Sequence, residues 1–486
     1  MDVDGSARSI ADRAGMCLAA KWWILYHMVN KLLVENKDLP IVAIGTNLGD
    51  RAANLHRAIV ELNEHCGRVV KTSRLYTTAP QYVVDQPEFL NAAVELSTTL
   101  SPTDLLLRFK DIEVRVGRDL GGLRYGPRIL DVDLLFYRSD VIETTTAVGP
   151  LLVPHKLMAE RDFVLRPLLD IAPDFVHPVL GQTMQELYDK LPRTTTTPPP
   201  PPVPVLSLGR QLLWNLEAKT YVMGILNVTP DSFSGDGKTA PAAIVESARR
   251  MIAAGADMLD IGGESTAPNA APVSAQEELN RVLPVIQAIR AFSAIPISID
   301  TTKSIVAAAA IQAGANLVND VSGGTRDKAM LTTVAQLAVP IVLMHMRGMP
   351  STMTQLKVYR DIVDDVGREL LQQVQAAQDC GIPTWNIIVD PGIGFAKGLT
   401  ENLELLRRVA ELRSRWTPCP LLIGASRKKF LGTICDQPDP AERGAATTAT
   451  CAAAIAGGAS IVRVHDVAMC VDACKVSDAI WRLPNV

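Results

Sequence analysis

The chain has 486 residues, 48% hydrophobic and 21% charged, which is enough for two or three globular domains and leaves no large disordered fraction. A formal net charge of −4 excludes bulk binding to nucleic acid or an anionic membrane surface, so any anionic ligand must be held by local clusters of cations. Eight cysteines without a CxxC or a Cys/His spacing for zinc read as free thiols of a reducing compartment.

Residues 1–39 form an N-terminal extension. Its most apolar run, 17–33, is broken by Lys21, His27, Asn30 and Lys31 and is not a membrane span. Arg8, Arg13 and Lys21 are offset by Asp2, Asp4 and Asp12, whereas transit peptides avoid acids. The extension therefore reads as a frayed helix on a cytoplasmic protein, a mitochondrial presequence being the alternative.

A first unit spans residues 40–192. An apolar strand at 41–44 turns at Gly45-Thr46-Asn47-Leu48-Gly49 into a helix with Ala52, Leu55, Ile59 and Leu62 on one stripe, closed by Gly67. Strands follow at 68–76 and 90–98. Ser101-Pro102-Thr103-Asp104 then opens a second helix, with a capping box and a proline at its first position, that buries Leu105, Phe109, Ile112 and Val116. With a last strand beginning at Asp131, the order is that of a ferredoxin-like α+β fold.

Asp131 and Asp133, two apart on a strand, point to one face while Val132 and Leu134 enter the core. Adjacent anions need cations between them, and Mg²⁺ carrying ATP phosphates suits such a pair. Arg118, Arg124 and Arg128 precede them in a glycine-bearing loop, and His155 and Arg161 follow. That concentration of phosphate-binding groups points to phosphoryl transfer.

GTNLGD, DQPEFLNAAV, RYGPRILDVDLL and VPH with ERDF resemble the 6-hydroxymethyl-7,8-dihydropterin pyrophosphokinases over nearly all of residues 41–190. The resemblance implies two Mg²⁺ on Asp131 and Asp133, and an ATP site of Glu113, Arg118, Arg128, His155 and Arg161. It also implies a pterin pocket of Thr78, Phe89, Asn91 and Phe163, in which Phe89 and Phe163 sandwich the ring. Pyrophosphate would pass intact from ATP to the pterin hydroxymethyl group, releasing AMP. Two departures stand out: Pro150-Leu151-Leu152 where many members carry an arginine, and Tyr125 where tryptophan is frequent.

Residues 193–204, four threonines and a proline run whose prolines lack backbone donors, read as a linker. In the polyproline form each residue advances about 3.1 Å, so the proline run at 198–204 alone would hold two bodies roughly 20 Å apart.

From 205 to 486 a signature recurs in which Ala-Gly-Ala or Gly-Gly-Ala, at 254–256, 313–315 and 457–459, ends a helix and runs into an apolar strand. Eight strands fit, at 221–226, 257–261, 296–300, 316–320, 341–345, 386–390, 420–424 and 460–464. Helix-patterned segments separate them, one opening with a capping box at Ser274–Glu277. This is the pattern of a (β/α)8 TIM barrel, whose reactive groups lie at the carboxyl ends of its strands. After the eight runs come Asn227 and Asp231, Glu264 to Thr266, Asp300, Asn319 and Asp320, His345, Asp390, Ser426 to Lys428, and Arg463 with His465. Asn and Asp suit a planar heterocycle, and Asn227, Arg463 and His465 suit an anion with its metal.

MGILNVTPDSFS, DIGGEST, SIDTT, NDVSG, LMHM, DPGIGF, GASRK and RVHD resemble dihydropteroate synthase in order and over the whole unit. The resemblance implies that Asp300, Asn319, Asp390 and Lys428 hold the pterin, and that Asn227, Arg463 and His465 bind pyrophosphate with one Mg²⁺ at Asn227. Thr266, Phe395 and Ser426 would frame p-aminobenzoate, with mobile lids at 229–238 and 265–274. Asp131, Asp133, Arg118 and Arg128 in the first unit, and Lys428, Arg463 and His465 in the second, are the groups expected to carry the chemistry. Ala267 stands where most members have arginine, so a raised KM for p-aminobenzoate or an altered sulfonamide response is expected, with catalysis surviving.

Together the two units read as a bifunctional folate-biosynthesis enzyme whose small-molecule substrates are ATP, hydroxymethyldihydropterin and p-aminobenzoate. Barrels of this family suggest a homodimer or higher homo-oligomer. The competing reading is an active pyrophosphokinase fused to a pterin-binding barrel that is catalytically weak, a carrier or a scaffold.

Overall fold

The computed structural model describes residues 39–482 apart from 120, 122, 124, 193–199, 210, 229–239, 266–270 and 417. Strands β1 (Ile41–Thr46), β2 (Arg68–Thr72), β3 (Leu75–Thr78), β4 (Phe89–Ser97) and β5 (Asp131–Phe136) form an antiparallel sheet in the order β5-β1-β4-β3, with β2 also on β4. Alternate residues face opposite ways along each strand. Val42, Ile44, Val94, Val132 and Leu134 pack with Leu55, Leu62, Leu105, Phe109 and Ile112 from helices Arg51–His65 and Pro102–Val116. Ile41, Ala93 and Leu135 face the other way, onto Val164, Leu165 and Leu168 of helix Asp162–Ile171. The ferredoxin-like α+β order expected of this unit is present.

Three local expectations are corrected. The strand expected at 68–76 is two strands, broken where Arg74 turns to donate to both oxygens of Asp170 (3.2 and 2.9 Å). The hairpin β6 (Ile142–Thr146) and β7 (Gly149–Val153) was not anticipated. Neither capping box closes. Ser101 and Ser274 accept from the backbone at Asp104 and Glu277, but the Asp104 carboxylate takes the Ser101 hydroxyl and Glu277 takes Arg281.

The expected linker needs the largest correction. Strands β8 (Val203–Ser207) and β9 (Leu213–Asn215) form a hairpin that extends the first sheet, Val203, Pro204 and Val205 lying opposite Thr77, Tyr76 and Leu75. The chain thus rejoins the first unit at Val203, two residues before the boundary expected, and residues 193–199 lie outside the described residues. The same hairpin turns Leu206, Leu208 and Trp214 onto Tyr221, Met258, Leu317, Ile388 and Ile461 at the amino end of the second unit's strands. Nearby, Thr384 N donates to Thr72 Oγ1 (2.8 Å), Arg68 pairs with Asp379 (2.7 Å), and Trp385 enters the first unit's core. A sheet edge and an open barrel base each expose apolar surface, and one hairpin covers both. The units are in contact, not held apart by a spacer.

The second unit's strands are β10 (Tyr221–Asn227), β11 (Met258–Gly262), β12 (Ile297–Asp300), β13 (Leu317–Asp320), β14 (Ile341–Met344), β15 (Ile387–Asp390), β16 (Leu422–Ile423) and β17 (Ile461–Val464). They match the expected runs to within one or two residues. All pairings are parallel, in the order β15-β14-β13-β12-β11-β10-β17-β16, and a Val389–Leu421 bridge joins the two ends into a TIM barrel. Gly255, Gly314 and Gly458 adopt φ of 95°, 115° and 88°, the left-handed helix stop that the recurring signature requires. Among the described residues no helix is long and apolar enough to cross a membrane.

Candidate active sites

In the first unit, β1, β4 and β5 deliver their ends to a cavity of about 500 Å³. Gly45 lies opposite both Asn91 and Asp131, and a Cβ there would collide with the Asn91 amide, so glycine is what lets the pocket close around that side chain. Asn91 donates to Thr78 Oγ1 (2.7 Å). Phe89 and Phe163 also line the cavity, each with a guanidinium beside its ring, Arg128 at 5.7 Å and Arg161 at 5.5 Å.

Asp131 and Asp133 face this cavity together, as their spacing requires. Asp131 accepts from Arg118 (2.5 Å) and Arg128 (2.8 Å). Burial pushes its carboxyl up, but the two arginines prevail and hold it below the usual carboxylate range. Asp133 has no ion-pair partner among the described residues. Burial, and then the charge of Asp131, hold its carboxyl above the usual value. Burial draws the His155 imidazole down. Arg161 donates to the Tyr82 hydroxyl (3.3 Å).

Glu113 corrects the expected ATP site. It is fully buried and is not part of the cavity wall. Its Oε1 accepts from Lys110 Nζ (2.7 Å) and Val132 N (2.9 Å), and Oε2 lies 2.8 Å from Arg118. An anion behind the wall orients Arg118 and pins β5, but it cannot reach a ligand. Lys110, which the sequence reading missed, does line the cavity. Its signal was the i,i+3 pairing with Glu113. Pro150, Leu151 and Leu152, where the resemblance led us to expect an arginine, line the wall, and Tyr125 stacks on Tyr82 with centroids 4.5 Å apart. Arg124 lies outside the described residues.

At the carboxyl ends of the barrel strands a cavity of about 980 Å³ brings together Asn227, Asp300, Asn319, Asp390, Phe395, Ser426, Lys428, Arg463 and His465. Arg463 donates to Asp260 through Nε and to Asp300 through Nη2, both at 2.6 Å. Asn319 donates to the same Asp260 oxygen (3.1 Å). Burial raises Asp300 to about 7, against Arg463, and raises Asp390 to about 6, against the Gly392 N–H. Burial also lowers Lys428 to about 8, Arg463 acting in the same direction. The Lys428 ammonium sits 3.9 Å from the Phe395 ring centroid. Ser426 Oγ lies 3.0 Å from His465 Nδ1, and burial, then Arg463, draws that imidazole down to about 4, leaving it neutral.

Two groups grouped with the barrel mouth stand behind it. Asp320 takes the Ser322 backbone, the Ser322 hydroxyl and the Gly324 backbone, which makes it a loop cap. His345 is held between Glu369 and Lys397. Asp231, Thr266, Ala267, all of the first lid and 266–270 of the second lie outside the described residues. The sequence reading missed Asp260, a fully buried carboxylate in the apolar run MLDIG. The available signal was its charge, since a buried carboxylate must be paired.

A family model described as 7,8-dihydro-6-hydroxymethylpterin-pyrophosphokinase matches residues 41–173, and one described as a pterin binding enzyme matches residues 223–465. A folate synthesis bifunctional protein of Arabidopsis thaliana is 41% identical over 474 residues, covering 92% of this chain and 97% of its own. A dihydropteroate synthase of Synechocystis is 51% identical over 281 residues, 57% of this chain and 96% of its own. The solved structure of Plasmodium falciparum HPPK-DHPS with pteroate shares the fold at a TM-score of 0.75 and 23% identity, covering 92% of this chain and 98% of that one. Both cavities thus lie inside matched segments, and the chain belongs to the bifunctional folate synthesis proteins, a hydroxymethyldihydropterin pyrophosphokinase joined to a dihydropteroate synthase.

Proposed function

We propose that the pyrophosphokinase cavity works with two Mg²⁺ at Asp131 and Asp133, with Arg118, Arg128, His155 and Arg161 on the ATP phosphates and Thr78, Phe89, Asn91 and Phe163 on the pterin. One observation carries this reading: of two carboxylates on one strand face, Asp131 is matched by two arginines while Asp133 has no paired cation among the described residues. Two carboxylates with phosphate oxygens are the donor set that Mg²⁺ accepts, so the residues fit the ions. When bound, the ions would neutralise charge on the phosphate oxygens. The arginines hold the triphosphate so that the hydroxymethyl oxygen attacks the β-phosphorus. That oxygen's proton is lost, the bond from the β-phosphorus to the bridging α-oxygen breaks, and AMP leaves.

In the synthase cavity the same reading places Asp300, Asn319, Asp390 and Lys428 on the pterin, Asn227, Arg463 and His465 on pyrophosphate, and Phe395, Ser426 and Thr266 on p-aminobenzoate. The fit for one Mg²⁺ is narrower here. Asn227 offers a single neutral oxygen, so the ion would be held chiefly by pyrophosphate. The methylene C–O bond breaks, the pterin ring shares the positive charge, and the aniline nitrogen bonds to carbon and loses a proton. The chain's part is to stabilise both charges and exclude water. Incubated with ATP, Mg²⁺, hydroxymethyldihydropterin and p-aminobenzoate, the purified chain is expected to yield AMP and dihydropteroate, and EDTA to abolish AMP release. AMP without dihydropteroate would favour the scaffold reading, and EDTA-insensitive AMP release would remove the metal assignment.

We further propose a homodimer through the barrel. Helix Val467–Trp481 exposes Met469, Val476, Ile480 and Trp481, a long apolar stripe at helical spacing. Sedimentation at a single chain's mass would refute it. The acid-balanced extension supports a cytoplasmic location, which fractionation of cells expressing the full chain would test.

A further inference from the structure

Lys397 is a buried lysine, 4% exposed, with no part in the reaction steps above. Its ammonium donates to the carbonyls of Gly392 (3.1 Å) and Phe395 (3.0 Å) and lies 3.0 Å from His345 Nδ1. An ammonium has three N–H donors, and all three are then committed within the protein. Burial lowers Lys397 to about 7, so below that pH, where it carries its charge, His345 accepts through Nδ1 and carries its proton on Nε2, which donates to Glu369 (2.9 Å). Arg347 completes the row by pairing with both Glu369 oxygens.

The chain that Lys397 stitches is the turn after β15, which has an irregular backbone. Gly392, Gly394 and Ala396 adopt φ of 68°, 85° and 50°. For alanine this is the disfavoured left-handed region, so the turn needs restraint from outside itself. That turn places three of the site's groups. Gly392 N donates to Asp390 Oδ1 (2.7 Å), and Phe395 projects into the cavity beneath the Lys428 ammonium. Gly394 abuts the Lys428 stem so closely that a Cβ there would lie 2.8 Å from Cδ. Tyr359 adds one more tie, its hydroxyl donating to Ala396 O (3.1 Å).

We propose that Lys397 is a positioning residue of the condensation reaction: its ammonium fixes the 392–396 turn, and through it Asp390, Phe395 and Lys428, while locking His345 in the Nε2-protonated neutral tautomer. The inference rests on the assignment of these three groups to substrate. Burial draws the His345 imidazole down to about 4, in keeping with a neutral ring. Lys397 does not act on substrate directly, because its donors are used.

In the full-length chain, Lys397→Met is expected to lower the kcat of dihydropteroate formation about 10²-fold, the scale of a misplacement near 1 Å. KM for p-aminobenzoate should rise, and AMP release by the pyrophosphokinase half should be unchanged. Methylammonium should restore part of the rate of a Lys397→Ala chain, because Lys397 lines the cavity; loss of packing alone would not be rescued. Independently of any variant, ¹⁵N NMR of the wild-type chain, which has seven histidines, should show His345 protonated at Nε2 only at a pH between the values of about 4 for His345 and about 7 for Lys397. Wild-type kcat and KM in Lys397→Met, a loss that no amine rescues, or a proton on His345 Nδ1 would each overturn the proposal. Wild-type protein that forms no dihydropteroate would instead remove the site assignment on which it rests.

Discussion

Asp133→Asn is expected to reduce AMP release at least 10³-fold while leaving the condensation of supplied pterin pyrophosphate at the wild-type rate. Loss of one metal-binding carboxylate removes several kcal/mol of transition-state charge stabilisation, and about 1.4 kcal/mol corresponds to each tenfold. The fold should not suffer. Asp133 makes no ion pair among the described residues, and burial together with Asp131 holds its carboxyl above the usual value. An acid whose folded pKa is raised opposes folding at any pH above its unfolded pKa, increasingly so until the folded pKa is passed. The neutral amide removes that cost, so the thermal midpoint should stay level or rise as turnover collapses. A variant with full AMP release, or one that loses stability in proportion to activity, would mean that Asp133 is structural.

The second large effect falls on a residue that touches no assigned ligand. Asp260→Ala is expected to destabilise the chain by about 3–5 kcal/mol and to slow condensation about 10²-fold. Asp260 is fully buried and supports Arg463 through Nε and Asn319 through its amide. Without it, Arg463 keeps only Asp300 among the described residues, and a half-buried guanidinium is left partly uncompensated. Asp260→Asn, which keeps an acceptor and loses the charge, should fall between. Urea midpoints and initial rates of dihydropteroate formation measure both effects. A folded Asp260→Ala chain with the wild-type condensation rate would show that Arg463 and Asn319 hold their places unaided.

What the sequence could not reveal shares one feature with these two predictions. Asp260 and Arg463 are 203 positions apart, and nothing in MLDIG announces the partner. Glu113 was expected in the ATP site because the family resemblance placed it there. In space it lies behind Arg118, where it orients the arginine and cannot meet phosphate. The proline-rich stretch was read as a spacer because its composition resists regular structure. Yet Val203–Val205 pair with Leu75–Thr77, more than 120 positions earlier, since an open sheet edge and an open barrel base were both available to cover.

By itself, the sequence determined what is decided over short windows: the eight barrel strands and their left-handed glycine stops, the two helical stripes of the first unit, and the common face of Asp131 and Asp133. These follow from periods of two and 3.6 residues and from the φ that glycine alone takes without strain. Only the tertiary structure decided which charges neutralise one another, which carboxylate of the pair makes no ion pair among the described residues, that one lysine ties a turn of the synthase site together, and that the two enzymes share a hairpin. Those outcomes depend on desolvation and close packing between segments far apart in the chain, which exist only once the chain has folded.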